Sequence, residues 1–379
     1  MSPSATVIAA RRTPVTTAGR ALAAVGAADL AAPVLAALDA DVARLLGAPG
    51  RSGATEVVLG NCRGPGGNVA RVAALAAGLG EATPGLTVDR QCGSGLEAVR
   101  LGTLLAATGA ADVVLAGGTE SASLAPGGTA HRAPFAPPGA DDPGMGEAAD
   151  TVARERSVTR ERQDAYAERS HARMLAARAA GAFDAELVPV GGVDRDDRPR
   201  PLAAGRLARL RPAFSPTGTV TAGNACGVSD GAAAVALVPD DARRRAGIPG
   251  LRILASAVTG GDPARPALAA APAVRAVLAT AGVPLGEVAV IEVTEAFAAQ
   301  VLVFGDDLGL DPLGADAERV CPDGGAVALG HPWSASGALL VVRLFSRLVR
   351  RPAAGRYGIA ACAIGGGQGL AVLTERVVR

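Results

Sequence analysis

Short β-type runs alternate with alanine- and leucine-rich stretches through the first 120 residues. Residues 6–10 read as a strand, 27–46 as a helix and 56–59 as a strand. A second round follows, with 86–88 as a strand end, 95–107 as a helix and the apolar run 112–116 closing on Gly117-Gly118. Such alternation predicts an α/β sheet. The carboxy-terminal part repeats the arrangement: Ser94-Gly95, a helix and VVLAGG have their counterpart in Ser336-Gly337, a helix and IAACAIGGG. Two similar α/β halves are the simplest reading. A helix–strand unit can also recur by chance in any α/β chain, which leaves true duplication open.

Between the halves the pattern breaks. Residues 122–212 are rich in Pro, Gly, Arg and Asp and read as an inserted loop domain, with one charged helix over 159–180 capped by Ser157 and irregular chain over 133–142 and 194–201. Residues 218–237, GTVTAGNACGVSDGAAAVAL, then predict a glycine-punctuated turn, a helix and an apolar strand that return the chain to the first sheet. The expected division is 1–121 for the first half, 122–212 for the insert, 213–239 for the return and 240–379 for the second half.

Composition narrows the chemistry. Of 379 residues 49% are hydrophobic and 19% charged, which suits a globular protein with a sizeable core and excludes a largely disordered one. The formal net charge is +1 and no basic block is interleaved with aromatics, so nucleic acid is not an expected partner. The sequence contains no lysine, which removes Schiff-base, pyridoxal and Walker-A chemistry. Its five cysteines are odd in number, widely spread and without CxxC pairing, pointing to reduced thiols in a cytoplasmic protein with no metal site. No long uncharged apolar run follows Arg11-Arg12, so neither export nor membrane insertion is expected.

Two residues stand out as candidate chemistry. Cys92, in VDRQCGSGLEAV, lies between a strand end and a helix start, where backbone N–H groups and the helix dipole favour a thiolate and glycines allow an exposing turn. His331, in GGAVALGHPWSASG, follows a glycine-dense turn, and histidine is the usual partner that deprotonates a cysteine. A buried structural cysteine and a satisfied structural histidine are the plainer alternatives. His131 and His171 have no comparable context.

Six motifs, QCGSGLEAV, AGGTESAS, GTVTAGNACGVSDGAAA, EVTEAFAAQ, GGAVALGHPWSASG and IGGGQG, succeed one another in the order and spacing of the thiolase family, which the chain resembles over essentially its whole length. The resemblance implies the thiolase fold: two similar βαβαβ halves stacked as a layered α/β/α/β/α structure, with a loop domain inserted in the first. It implies ping-pong acyl transfer from coenzyme A thioesters with no tightly bound cofactor. Cys92 would be the acylated nucleophile, His331 would activate it, and the N–H groups of Cys92 and Gly365 would form an oxyanion hole. Cys226, Phe214, Ala222, Met145 and Phe297, with Arg198, Arg200 and Arg206, would contact coenzyme A, the arginines at its nucleotide end.

The sequence departs from the family's pattern in the second half-reaction. The second cysteine, which removes the α-proton of the incoming thioester, is replaced by Ala363. Cys362 lies one residue earlier, and such a shift in an extended segment turns a side chain to the opposite face unless a bulge intervenes. Thr294 replaces the asparagine of the NEAF motif, and Cys226 stands where the family has serine, as a conservative replacement or as a substitute acid/base. Asp89, where many relatives have asparagine, either orients local polar groups or faces water. The expected function is an acyltransferase that makes or cleaves carbon–carbon bonds in Claisen fashion. Transfer to an amine, an alcohol or water, and a catalytically weak acyl-thioester-binding subunit, are the alternatives. The donor is coenzyme A or a carrier-protein thioester, and the short stretch 120–145 implies a homodimer.

Overall fold

The computed structural model describes residues 4–47, 53–129, 132, 134–351 and 355–378. Among the described residues there are ten strands: β1 (Ala5–Arg12), β2 (Thr16–Thr17), β3 (Glu56–Gly60), β4 (Gly85–Val88), β5 (Val114–Glu120), β6 (Ser229–Pro239), β7 (Gly250–Gly260), β8 (Val288–Val293), β9 (Tyr357–Ile364) and β10 (Gln368–Val377). Nine of them run in the order β4-β3-β5-β6-β1-β7-β10-β9-β8, with β2 paired to β6 alone. The first half reads outward from the middle as β1-β6-β5-β3-β4 and the second as β7-β10-β9-β8. Parallel and antiparallel pairs match between them: β3 is parallel to β5 as β8 is to β9, while β6 and β10 are antiparallel to their neighbours. Beyond β8 a parallel bridge from Ile291 to Val320 occupies the place that β4 takes in the first half. The two halves therefore share one topology.

Layering follows from the period-two pattern of the strands. Val114 and Ala116 of β5, with Ala360, Cys362 and Ile364 of β9, join one core with the helices Ser94–Ala107 and Trp333–Phe345. Leu115 of β5 faces the helix Ala27–Leu45 in a second core, and Ile359 and Ala361 of β9 face the helices Ala270–Ala281 and Ala298–Leu308 in a third. This is an α/β/α/β/α stack. At its centre the two middle helices pack closely enough that a Cβ on Gly95 would overlap the Ser334 carbonyl, and one on Gly337 would come within 2.6 Å of the Leu96 nitrogen.

Three elements differ from the sequence expectations. The alanine-rich run expected to start as a helix is wholly strand β6, because it lies between β5 and β1 with Ala233 and Val235 buried on one face and Ala234 and Ala236 on the other. Alanine's helix preference, a few tenths of a kcal/mol per residue, does not outweigh two-sided burial. The insert carries a second helix, Met145–Glu155, ahead of the expected one, which spans Arg160–Ala179. That helix is capped by Thr159, whose hydroxyl accepts the Arg162 N–H, while Ser157 sits in the intervening turn at φ 54°. His131 and Ala133 lie outside the described residues.

Candidate active site

The turn that carries Cys92 is built by its neighbours. β4 ends at Val88, the Asp89 carboxylate accepts the Gln91 N–H at 2.7 Å, and Gln91 takes the left-handed φ of 47°. Asp89 thus orients a local polar group, one of the two roles left open by the sequence. Ser94 closes the turn, accepting the Arg90 N–H at 2.8 Å and donating to the Gln91 carbonyl at 2.6 Å. Cys92 follows in a single 3-10 turn, Gln91–Gly93, directly before the helix Ser94–Ala107. Gly93 packs on Ile364 so tightly that a Cβ there would overlap the isoleucine side chain, and Arg90 donates to Gln368 at 2.7 Å. These contacts hold the turn against the end of β9.

His331 is fixed from two sides. Its backbone N–H donates to the Gly227 carbonyl at 2.8 Å, and its Nδ1 lies 2.6 Å from the Ser336 hydroxyl, leaving Nε2 for the cavity. Ser336, the start of a helix in the sequence pattern, was not read there as a partner of the histidine. Cys226 is held by its N–H on the Ala296 carbonyl at 2.9 Å, next to the bridge between Ala225 and Phe297.

Cys92, His331, Cys226 and Ala363 meet on the wall of one cavity of about 380 Å³. Met145, Phe214, Phe297, Pro266 and Ala267 make it apolar, and Trp333 and Gln300 complete it. Phe214 and Phe297 meet edge to face at 5.9 Å. Sequence reading missed Pro266, Ala267, Gln300 and Trp333. The last is the only tryptophan and is stacked under the Arg63 guanidinium at 5.1 Å, so its rarity within GHPW was the available signal.

Other expected residues lie elsewhere. Among the described residues Thr294, Gly365, Ala222, Arg198, Arg200 and Arg206 do not line the cavity. Gly365 follows β9 and faces the Phe135 ring. Thr294 is buried with its hydroxyl 3.2 Å from Cys362 Sγ, so it is satisfied by that thiol. Cys362 points into the central core, on the face opposite Ala363, and β9 runs in unbroken register with β10, so no bulge returns it to the cavity. Ala222, Arg200 and Arg206 are exposed. Arg198 is turned inward instead, packed beneath Gly227 and Gly330. The glutamate of the TEAF motif, Glu295, is a strut: it accepts Tyr166 and Ser170 hydroxyls at 2.7 Å each and the Val327 N–H at 3.1 Å, tying the insert to the turn before His331.

Electrostatics correct one expectation. Burial pushes the Cys92 thiol up to about 12, and the nearby Cys226 and Cys362 thiols push the same way. Burial also pulls His331 down to about 4. Both shifts run against the charged pair and toward a thiol beside a neutral imidazole, the reverse of what the helix terminus alone leads one to expect. A neutral imidazole can take the sulfur's proton as attack proceeds.

The chain matches the family model described as thiolase, N-terminal domain, over residues 5–136 and 138–241, and thiolase, C-terminal domain, over 249–376. It is 42% identical over 352 residues to a putative acetyl-CoA C-acetyltransferase, YhfS, of Bacillus subtilis, covering 92% of each chain. It is 40% identical to a beta-ketoadipyl-CoA thiolase of Pseudomonas aeruginosa over 100% of both. Its fold superposes on the crystal structure of the Bacillus anthracis acetyl-CoA acetyltransferase with a TM-score of 0.89, at 35% identity and 99% coverage of each chain.

Proposed function

This chain belongs to the thiolase family, and on that premise we propose that Cys92 takes an acyl group from a coenzyme A thioester and passes it to a carbon acceptor, making or cleaving a carbon–carbon bond. The observation that carries the reading is the convergence of Cys92 and His331 on one apolar cavity. In the first half-reaction Cys92 Sγ bonds to the thioester carbonyl carbon while His331 takes the thiol proton. The Cys92 N–H stabilises the oxyanion; Gly365, the second donor that the resemblance implies, does not line the cavity. Collapse then breaks the bond to the coenzyme A sulfur, which leaves with the proton from His331. Apolar walls from Met145, Phe214 and Phe297 suit the acyl group and the pantetheine arm.

Further parts of the reading rest on separate observations. A homodimer is supported by the open edge of β4, where Leu86 is exposed, and by the exposed Val72 and Leu75 on the helix Val69–Ala76. A cytoplasmic location is supported by five free cysteines. No helix among the described residues is long and apolar enough to cross a membrane. The proposed division of the chain falls at 121, 212 and 239. Arg200 and Arg206 remain available to the nucleotide end of coenzyme A.

The test is isotope exchange between labelled free coenzyme A and acetyl-CoA with no second substrate. An acyl-enzyme supports this exchange, and Cys92→Ala abolishes it. Exchange that survives in Cys92→Ala contradicts the reading.

A further inference from the structure

The family's α-proton base is absent from the cavity at Ala363, yet a thiol is present on another wall, at Cys226. Cys226 and Val228 face the cavity, and Gly227 between them faces the other way. Against that side of Gly227 lies the Arg198 guanidinium, close enough that a Cβ on Gly227 would overlap it. Among the described residues Arg198 makes no ion pair, and its buried Nε has no hydrogen-bond partner. Its chain neighbour Asp197 is already engaged, accepting the N–H and hydroxyl of Thr17. A largely buried cation without an anion is costly, and the structure is relieved of that cost when an anion forms within reach. Arg198 lies across Gly227 from the cavity, and the thiol of the adjacent Cys226 is an ionisable group whose charged form this cation favours.

We propose that Cys226, ionised beside Arg198, is the base that removes the α-proton of the acceptor thioester. The inference rests on the Claisen reading given above. In the step, the methyl C–H bond breaks, its proton passes to Cys226 Sγ and its electron pair enters the enolate. The enolate carbon bonds to the acyl carbonyl carbon on Cys92, the Cys92 S–C bond breaks, and the departing Cys92 thiolate takes the proton from Cys226. Atoms and charge balance without any co-reactant. Arg198 touches no substrate and is a positioning residue.

The groups facing Cys226 set its pH response. Burial pushes its thiol up to about 12, Arg198 pulls it back down and Glu295 pushes it up. Across the cavity stand Cys92, His331 and Glu147. The thiolate is therefore a minor form at neutral pH, and its population climbs about tenfold per pH unit below the thiol's pKa.

Deuterium uptake into the acetyl-CoA methyl group, followed by mass spectrometry in deuterated water over a range of pH, tests this, with Cys92 acylation measured in parallel. Wild-type exchange should be slow at neutral pH and rise about tenfold per unit. Cys226→Ser should lower it by about 10²- to 10⁴-fold, while Cys92 acylation falls by far less. Arg198→Gln should move the profile to higher pH without lowering the rate reached there. Ala363→Cys in the Cys226→Ser background should restore exchange. Exchange at the wild-type rate in Cys226→Ser overturns the inference, as does a protein that acylates Cys92 yet exchanges at no pH. Exchange needs no acyl group on Cys92, so it is also read in Cys92→Ala. An unlabelled Cys92 in wild type then counts against the acyl-enzyme reading alone.

Discussion

His331 Nδ1 and the Ser336 hydroxyl lie 2.6 Å apart, five residues from each other across the start of the helix Trp333–Phe345. With Nδ1 engaged, the imidazole presents Nε2 to the cavity, and the tautomer that donates to Ser336 leaves Nε2 as the acceptor a general base requires. Ser336→Ala removes the partner and leaves a buried ring nitrogen unpaired. A lost hydrogen bond of about 0.5–1.5 kcal/mol corresponds to roughly two- to thirteenfold in rate. Single-turnover acylation of Cys92 should slow by that factor with little change in the acyl-CoA concentration giving half the maximal rate. A change confined to that concentration would contradict the role.

The thiol–imidazole resting state has its own pH signature. With Cys92 pushed up to about 12 and His331 pulled down to about 4, both partners hold the same protonation from mildly acid to mildly alkaline pH. Acylation by acyl-CoA should be level between about pH 6 and pH 9. Alkylation of Cys92 by iodoacetamide, which needs free thiolate and makes no use of His331, should instead climb about tenfold per unit across that range. An alkylation plateau near neutrality would reveal a thiolate already formed.

Ala363 faces the cavity, whereas Cys362 and Thr294 face each other beneath it. Ala363→Cys alone should therefore raise acetoacetyl-CoA cleavage by at least about tenfold, roughly 1.4 kcal/mol of barrier. Adding Thr294→Asn, the family's other residue, should contribute less, because that side chain is directed at Cys362. A rate that responds to Thr294→Asn and not to Ala363→Cys would reverse this assignment.

A buried charge network ties the first strand to the central layer. Arg12, 1% exposed, bonds Glu186 and Asp196 at 2.7 Å each, and Glu186 also holds Arg343 and the Ser346 hydroxyl. Arg12 and Arg343 both pack on the Phe183 ring. Glu186→Ala leaves Arg12 with Asp196 alone and Arg343 with Asp323 alone, and should destabilise the fold by about 3 kcal/mol in urea unfolding. A loss below about 1 kcal/mol would show that the network is not coupled to folding.

Much of this architecture is legible in the residues. Periodicity located the helices at 27–46 and 95–107 to within a residue, and the recurring Ser-Gly, which falls in the first turns of the two central helices, marked the point where Gly95 and Gly337 let those helices meet. β6 was not legible, because GAAAVAL favours a helix until two flanking strands and two helix layers enclose it. In the site, the motifs single out Cys92, His331, Cys226 and Ala363, and these four share the wall of one cavity. They did not show that Arg198 turns inward, since an arginine among Pro, Asp and Arg reads as solvated until glycines at 227 and 330 make room for it. Nor could they show the burial that pushes the Cys92 thiol up, because desolvation depends on walls contributed by distant segments.

In the proposed reaction Cys92 carries the acyl group. Intact-mass measurement after incubation with a panel of short acyl-CoAs, quenched in acid and mapped by peptide, should show a mass increase of one acyl group per chain with at least one of them, located on Cys92 and lost in Cys92→Ala. An adduct that persists in Cys92→Ala and maps to Cys226 or Cys362 would rule Cys92 out as the carrier.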